Sequence, residues 1–157
     1  MRIEICGGIG AGKSTLCMLL VNRGFNIVPE NFNANPFWEA FYLNPGQYIF
    51  ETEITFTLQH YHELKKVEKR NMINVCDFSF LQDLGYAKIG LKDKKKKIFK
   101  EVYKEIVNEC NLPEVVICLK CDVEILKQRI EQRGRDVEKK IDKTFLYDLT
   151  KSIYSEV

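Results

Sequence analysis

No apolar run in this chain approaches the ~18 residues that a membrane span requires, and Met1-Arg2-Ile3-Glu4 passes directly into a strand pattern without a signal peptide's long apolar stretch. A soluble, cytoplasmic protein with no membrane partner is the expectation. An excess of charge is also lacking: 24 Lys and Arg against 22 Asp and Glu leave a net +2, too little to argue for a nucleic-acid partner. The one basic run, KDKKKK at Lys92 to Lys97, is expected to be a solvated loop and helix start. Internal repeats and low-complexity linkers are absent, and 157 residues suit one domain with a sizeable core and leave no room for a second. The six cysteines do not read as a metal or disulfide framework. Cys118-x-x-Cys121 has no second C-x-x-C to complete a zinc set. Cys6, Cys76 and Cys118 lie in apolar runs that look like buried strands, so reduced thiols are expected.

What the chain does contain is an alternation. Short β-branched or apolar runs at Arg2 to Cys6, Asn26 to Pro29, Met72 to Asp77 and Val115 to Leu119 read as strands. Between them, Lys13 to Arg23, Gln47 to Arg70, Lys94 to Cys110 and Asp122 to Arg133 carry apolar residues at helical spacing, as with Leu16, Leu19 and Leu20. Glu138 to Glu156 reads as a last helix with Ile141, Phe145, Leu149 and Tyr154 roughly on one face. Strands and helices in alternation predict a parallel sheet covered on both faces, a three-layer α/β/α fold. Ligands bind such sheets at the carboxyl ends of the strands, and Gly7, Glu30 and Asp77 all fall at or just past a predicted strand end.

The stretch CGGIGAGKST, residues 6 to 15, sets Gly7, Gly12, Lys13 and Ser14 in the spacing G-x-x-x-x-G-K-S, after a strand and at the head of an amphipathic helix. That context is what a phosphate cradle demands. The backbone of Gly7, Gly8, Ile9, Gly10, Ala11 and Gly12, continuing into Lys13, Ser14 and Thr15, can turn successive N–H groups toward phosphate oxygens, with the helix N-terminus behind them. Lys13 brings charge to the β and γ phosphates of ATP or another nucleoside triphosphate, and the Ser14 hydroxyl can ligate Mg²⁺. Transfer to a hydroxyl further needs a proton acceptor, a metal site and positive charge over the moving group. Glu30 after NIVP is the candidate base, Asp77 after INVC the second candidate metal ligand, and Arg129, Arg133 and Arg135 in RIEQRGR the candidate cations. Each also has a plainer reading: an exposed loop acid for Glu30, a helix cap for Asp77, a solvated helix end for the arginines.

Taken together, GGIGAGKST, VPE after the second strand, NPFWEAFYLNP before a long helix, DFSFLQDLGYAK and RIEQRGRDVE resemble the deoxynucleoside kinase family, in particular its bacterial deoxyadenosine and deoxyguanosine kinase branch. The resemblance spans nearly the whole chain. It implies a P-loop nucleoside-kinase fold with a lid at about residues 129 to 138, and transfer of the γ-phosphoryl group of Mg-ATP to the 5′-hydroxyl of a deoxynucleoside. In that reading Glu30 is the general base, while Lys13, Ser14, Arg129, Arg133 and Arg135 hold the donor and its metal, with Lys13, Arg133 and Arg135 acting in catalysis. Tyr42 and Glu138 match the residues that bind the deoxyribose 3′-hydroxyl, and Glu53, His60, Asp83 and Tyr86 fall in the base pocket. Trp38, Phe41 and Phe56 are further aromatics able to stack a nucleobase or to pack in the core. Family members are commonly homodimers.

The sequence departs from that pattern at three positions and in its last segment. Phe78 stands where the family places an arginine beside the base, and a phenyl ring cannot neutralise a phosphate; if that contact alone is lacking, Phe78→Arg is expected to raise activity. Glu53 stands where the family usually has a glutamine, and an ionised carboxylate accepts but does not donate. His60 replaces a family arginine that partners the acid matching Asp83, and a histidine beside an acid is open to pH-sensitive contact or to plain packing. The family also continues past the lid into a further strand, which this sequence, stopping at Val157, does not contain. Three functions therefore compete: a kinase acting on a deoxynucleoside, expected to be a purine, a degenerate relative that binds a nucleotide or a partner subunit with little turnover, and a kinase for another small acceptor such as a nucleoside monophosphate.

Overall fold

Strand β1 (Arg2–Gly7) lies near the middle of a four-stranded parallel sheet with β2 (Asn26–Val28), β3 (Asn74–Cys76) and β4 (Val115–Leu119), in the order β2-β3-β1-β4. This is the architecture of a computed structural model that describes residues 1–67 and 72–157. β1 is covered on both faces and alternates between them. Ile3 and Ile5 pack with Cys17 and Val75 against Leu16 and Leu20 of α1 (Lys13–Val21), whereas Cys6 joins Leu146, Leu149 and Ile153 of α7 (Lys143–Tyr154). The period of two along the strand thus separates the helical layers. Glu4 interrupts the apolar run. Its buried carboxylate accepts from Ser79 Oγ at 3.0 Å and from the Phe80 N–H at 3.2 Å, and faces Arg2 Nε at 3.1 Å. Burial raises its carboxyl above the ordinary range despite these partners.

The other helices are α2 (Trp38–Leu43), α3 (Pro45–Lys66), α4 (Phe80–Gly90), α5 (Asp93–Cys110) and α6 (Val123–Arg133), with 3₁₀ turns at Phe32–Ala34 and Asp136–Glu138. Two were not legible by periodicity. α2 is only six residues long. α4 buries Phe80, Gln82, Asp83, Gly85 and Ala87 around most of its circumference, so it shows no single apolar stripe. Its signature is local: Ser79 caps it by accepting from the Leu81 N–H at 3.2 Å, and Ser79-x-x-Gln82 has capping-box spacing.

Other boundaries move too. The last helix begins at Lys143, where Asp142 accepts from the Phe145 N–H at 2.7 Å, and Glu138 belongs to the preceding 3₁₀ turn rather than to the helix. α3 ends at Lys66; residues 68 to 70 of the expected helix lie outside the described residues. Lys92 precedes α5, and the lysines at 94, 95 and 97 are exposed in its first turns.

The cysteines are free thiols. Cys6, Cys17 and Cys76 are buried, which pushes each thiol up to about 12. Cys118 is only half-buried, because β4 is an edge strand rather than a buried one. Among the described residues no helix is long and apolar enough to cross a membrane.

α4 and α7 approach closely at Gly85. A Cβ there would lie 2.8 Å from Ile153 Cγ1 and 3.0 Å from its Cα, a backbone atom that cannot swing aside. Gly85 O also accepts from Ser152 Oγ at 2.8 Å. Gly85→Ala is therefore expected to destabilise the protein by about 1–3 kcal/mol through overpacking, partly offset by about 1 kcal/mol of helix propensity. A lowered denaturant midpoint is the expected result; an unchanged one means that α7 shifts freely.

Candidate active site

The turn from β1 to α1 has the geometry to receive an anion. Gly12, the N-cap of α1, has φ 99°, a left-handed conformation that glycine adopts without penalty. No acidic residue occupies the first turn of α1 to oppose a phosphate there. Lys13 Nζ donates to Gly7 O at 3.1 Å, folding the lysine back over the loop. Arg129 of α6 donates to Gly10 O at 3.3 Å and Ala11 O at 3.4 Å, so the loop is held between two cations.

This loop forms one end of a cavity of about 800 Å³, within the range of small-molecule sites. Carboxylates and aromatics form the other. Glu30, two residues past β2, is half-buried with His60 Nε2 3.6 Å from its Oε1. Burial would raise its carboxyl, but His60, with the charges of Lys13 and Arg135, outweighs that and holds it below the ordinary value. Glu53 of α3 is buried with Asp83 and Glu30 nearby, and burial, reinforced by those carboxylates, pushes its carboxyl well up despite His60.

Glu138 is buried and pairs with two arginines, Oε2 with Arg133 and Oε1 with Arg135 at 3.2 Å. Arg135 is also stacked, its guanidinium 4.1 Å from the Phe32 ring centroid and 5.9 Å from that of Trp38. Tyr42 lies edge-on to Trp38 at 5.7 Å. Burial and then the Glu138 charge push its phenol upward, keeping it a neutral donor.

Asp77 directly follows β3, beside Ser14 and Cys17, and its carboxyl is raised by burial in spite of Ser14. Its Oδ1 is buried with no hydrogen-bond partner among the described residues. An unpaired carboxylate oxygen near a hydroxyl is a fit for a hard divalent cation. No group of three or more His, Cys, Asp or Glu among the described residues is arranged to hold a metal, so Mg²⁺ here would draw its remaining ligands from phosphate and water.

Of the residues expected at the site, Ile9, Gly10, Ala11, Gly12, Lys13, Ser14, Thr15, Glu30, Tyr42, Glu53, Asp83, Tyr86, Arg129, Arg133, Arg135 and Glu138 line the cavity. Gly7, Gly8, Asp77 and His60 are not among the lining residues; Gly7 and Gly8 directly precede Ile9, Asp77 lies beside Ser14, and His60 faces Glu30 and Asp83. Trp38, Phe41 and Phe56 line it as well, together with seven residues that sequence reasoning did not place there: Leu16, Leu19, Phe32, Thr52, Gln82, Leu119 and Gln132. Gln82 had a signal in the capping-box spacing of α4. Phe32 had none, since it sits in a three-residue 3₁₀ turn. Phe78 does not reach the cavity: it is fully buried, stacked flat on His60 with ring centroids 4.1 Å apart and 3° between planes.

The deoxynucleoside kinase family model matches residues 3–156. A deoxyguanosine kinase of Bacillus subtilis is 30% identical over 152 residues, covering 94% of this chain and 73% of that protein. A deoxyadenosine/deoxycytidine kinase of the same organism is 31% identical over 152 residues, covering 91% and 70%. In fold, the chain is similar to a deoxyadenosine kinase from M. mycoides solved with bound dCTP, with a TM-score of 0.83 over 99% of this chain and 82% of that one at 24% identity. The match runs from the first strand to the last helix, and the resemblance read from the motifs and the likeness of fold agree: the chain belongs to the deoxynucleoside kinase family, a family of phosphotransferases.

Proposed function

We propose that the protein transfers the γ-phosphoryl group of ATP to the 5′-hydroxyl of a deoxynucleoside, preferring a purine. The observation that carries this reading is the placement of Glu30 and Lys13 on one cavity, a carboxylate held ionised facing a phosphate cradle. Glu30 accepts the hydroxyl proton as the oxygen attacks. Lys13 and the loop N–H groups bind the phosphates, and Arg129, Arg133 and Arg135 place positive charge over the transferred group. Ser14 and Asp77 would hold Mg²⁺. ATP when bound supplies the phosphoryl group, and the metal spreads its developing charge.

Tyr42 and Glu138 flank the sugar, so that a 3′-hydroxyl between them is hydrogen-bonded as donor and as acceptor. Tyr86 and the other cavity aromatics offer flat faces to the base. Burial pushes the Glu53 carboxyl upward, and in its neutral form it would both donate and accept at the base edge, as an amide does.

The test is incubation with Mg²⁺, γ-labelled ATP and each natural deoxynucleoside against a protein-free control, with nucleotide binding measured in parallel. Labelled purine deoxynucleoside 5′-monophosphate is the expected product. Binding without labelled product from any deoxynucleoside would leave the nucleotide-binding module as the better account. Label appearing only on nucleoside monophosphates would favour the third reading.

A further inference from the structure

His60 is the one buried side chain in the described structure that faces two carboxylates with its two ring nitrogens. Nδ1 is 2.9 Å from Asp83 Oδ2. Nε2 is 3.6 Å from Glu30 Oε1, has no nearer partner among the described residues, and is shut off from solvent. A neutral imidazole carries a single N–H, so one of its nitrogens would aim a lone pair at a carboxylate oxygen. Only the doubly protonated ring presents a donor on each side.

The ring is also fixed in its plane. Phe78 lies parallel to it at 4.1 Å, Phe56 lies 5.9 Å away at 26°, and Phe80 stands edge-on at 6.4 Å. A cation against a phenyl face is stabilised by the ring quadrupole, and a ring held this way cannot turn Nε2 away from Glu30. Phe78 itself brings no charge to the site; it holds the residue that does.

We propose that His60 is a positioning residue for the reaction: as an imidazolium clamped between Asp83 and Glu30 on the face of Phe78, it keeps Glu30 ionised and orients the carboxylate that takes the proton. This rests on the reading of Glu30 as the base. The groups facing the pair are Glu53 from α3, Asp83 from α4, Lys13 and Arg135 on the Glu30 side, and Asp77 past β3. Lys13 and Arg135 serve the phosphates under the proposed function, which leaves His60 as the cation dedicated to Glu30. Burial by itself would strip the proton from His60, but Asp83 and then Glu30 outweigh it and hold the ring protonated above neutral pH.

The deciding experiment is a nuclear magnetic resonance titration of the imidazole nitrogens in the whole protein, with exposed His62 as the second ring. His60 is expected to keep the signature of the doubly protonated form from about pH 6 to 8.5. Glu30→Gln is expected to bring its titration down toward that window. A His60 that loses its proton within the window in the unaltered protein, or that ignores Glu30→Gln, overturns the proposal.

Kinetics supply the second arm. His60→Gln is expected to move the acid limb of the kcat/KM profile upward by about one pH unit, and His60→Arg to move it back. Superimposable profiles for His60→Gln and the unaltered protein overturn the positioning role. Because the titration needs no turnover, an inactive protein with a protonated, Glu30-coupled His60 would overturn the function proposed above, whereas an ordinary His60 in an active kinase would overturn the clamp alone.

Discussion

Glu30→Gln lowers kcat for phosphoryl transfer by about 10²–10⁴-fold, the range general-base catalysis supplies, while nucleotide binding changes little. The substitution keeps the shape of the side chain and removes its ability to take a proton. Steady-state kinetics with a saturating purine deoxynucleoside, alongside direct measurement of ATP binding, separate the two effects. The loss belongs in kcat because, under the proposed function, Glu30 is needed at the moment the hydroxyl attacks and not to hold the donor. If kcat stays within a few-fold, the proton goes elsewhere, and Asp83 on the same cavity is the next carboxylate to test.

The same reading fixes the pH behaviour. The Glu30 carboxyl lies below its ordinary value, so under the proposed function Glu30 would serve as base throughout the neutral range. Its contribution is lost only as pH falls through that lowered value. A rate already falling between neutrality and about pH 6 would point to a different base.

Phe78→Arg destabilises the protein by about 3–5 kcal/mol, as expected when a charge is buried without a partner, and it does not raise turnover. The sequence alone led to the opposite expectation, because Phe78 occupies the position of a family arginine. The structure reverses the sign. The Phe78 side chain is fully buried, packs flat on His60, and does not reach the cavity. An arginine placed there would press a guanidinium against a ring already held between two carboxylates and would disrupt the packing that sets its plane. Denaturant unfolding followed by circular dichroism reads the loss directly. A Phe78→Arg protein of unchanged stability and higher kcat would restore the simpler account, in which the family cation is merely missing.

These two residues show where sequence reading reached and where it stopped. Gly7, Glu30 and Asp77 were legible because strand ends in a parallel sheet converge on one edge, so each residue's place followed from the local pattern before it. The turn between β1 and α1 was legible because its shape follows from the glycine spacing. His60 and Phe78 are 18 residues apart along the chain, on α3 and before α4, and nothing in either segment tells which way its ring faces. Their stacking is a tertiary fact. The same limit hid α4, where burial around most of the helix erased the period that betrays an amphipathic one. Gln82 was overlooked for that reason, despite its capping-box spacing from Ser79.

One side chain joins the two ends of the cavity. Glu138 places a separate oxygen on each of Arg133 and Arg135, so under the proposed function the group that meets the sugar also restrains the cations that meet the phosphates. Thermodynamic linkage then makes the two substrates mutually informative: any shift of Glu138 on acceptor binding changes the freedom of both arginines, and donor binding must alter acceptor affinity by the same factor. Substitutions at 133, 135 and 138 should accordingly combine non-additively, as members of one cooperative unit.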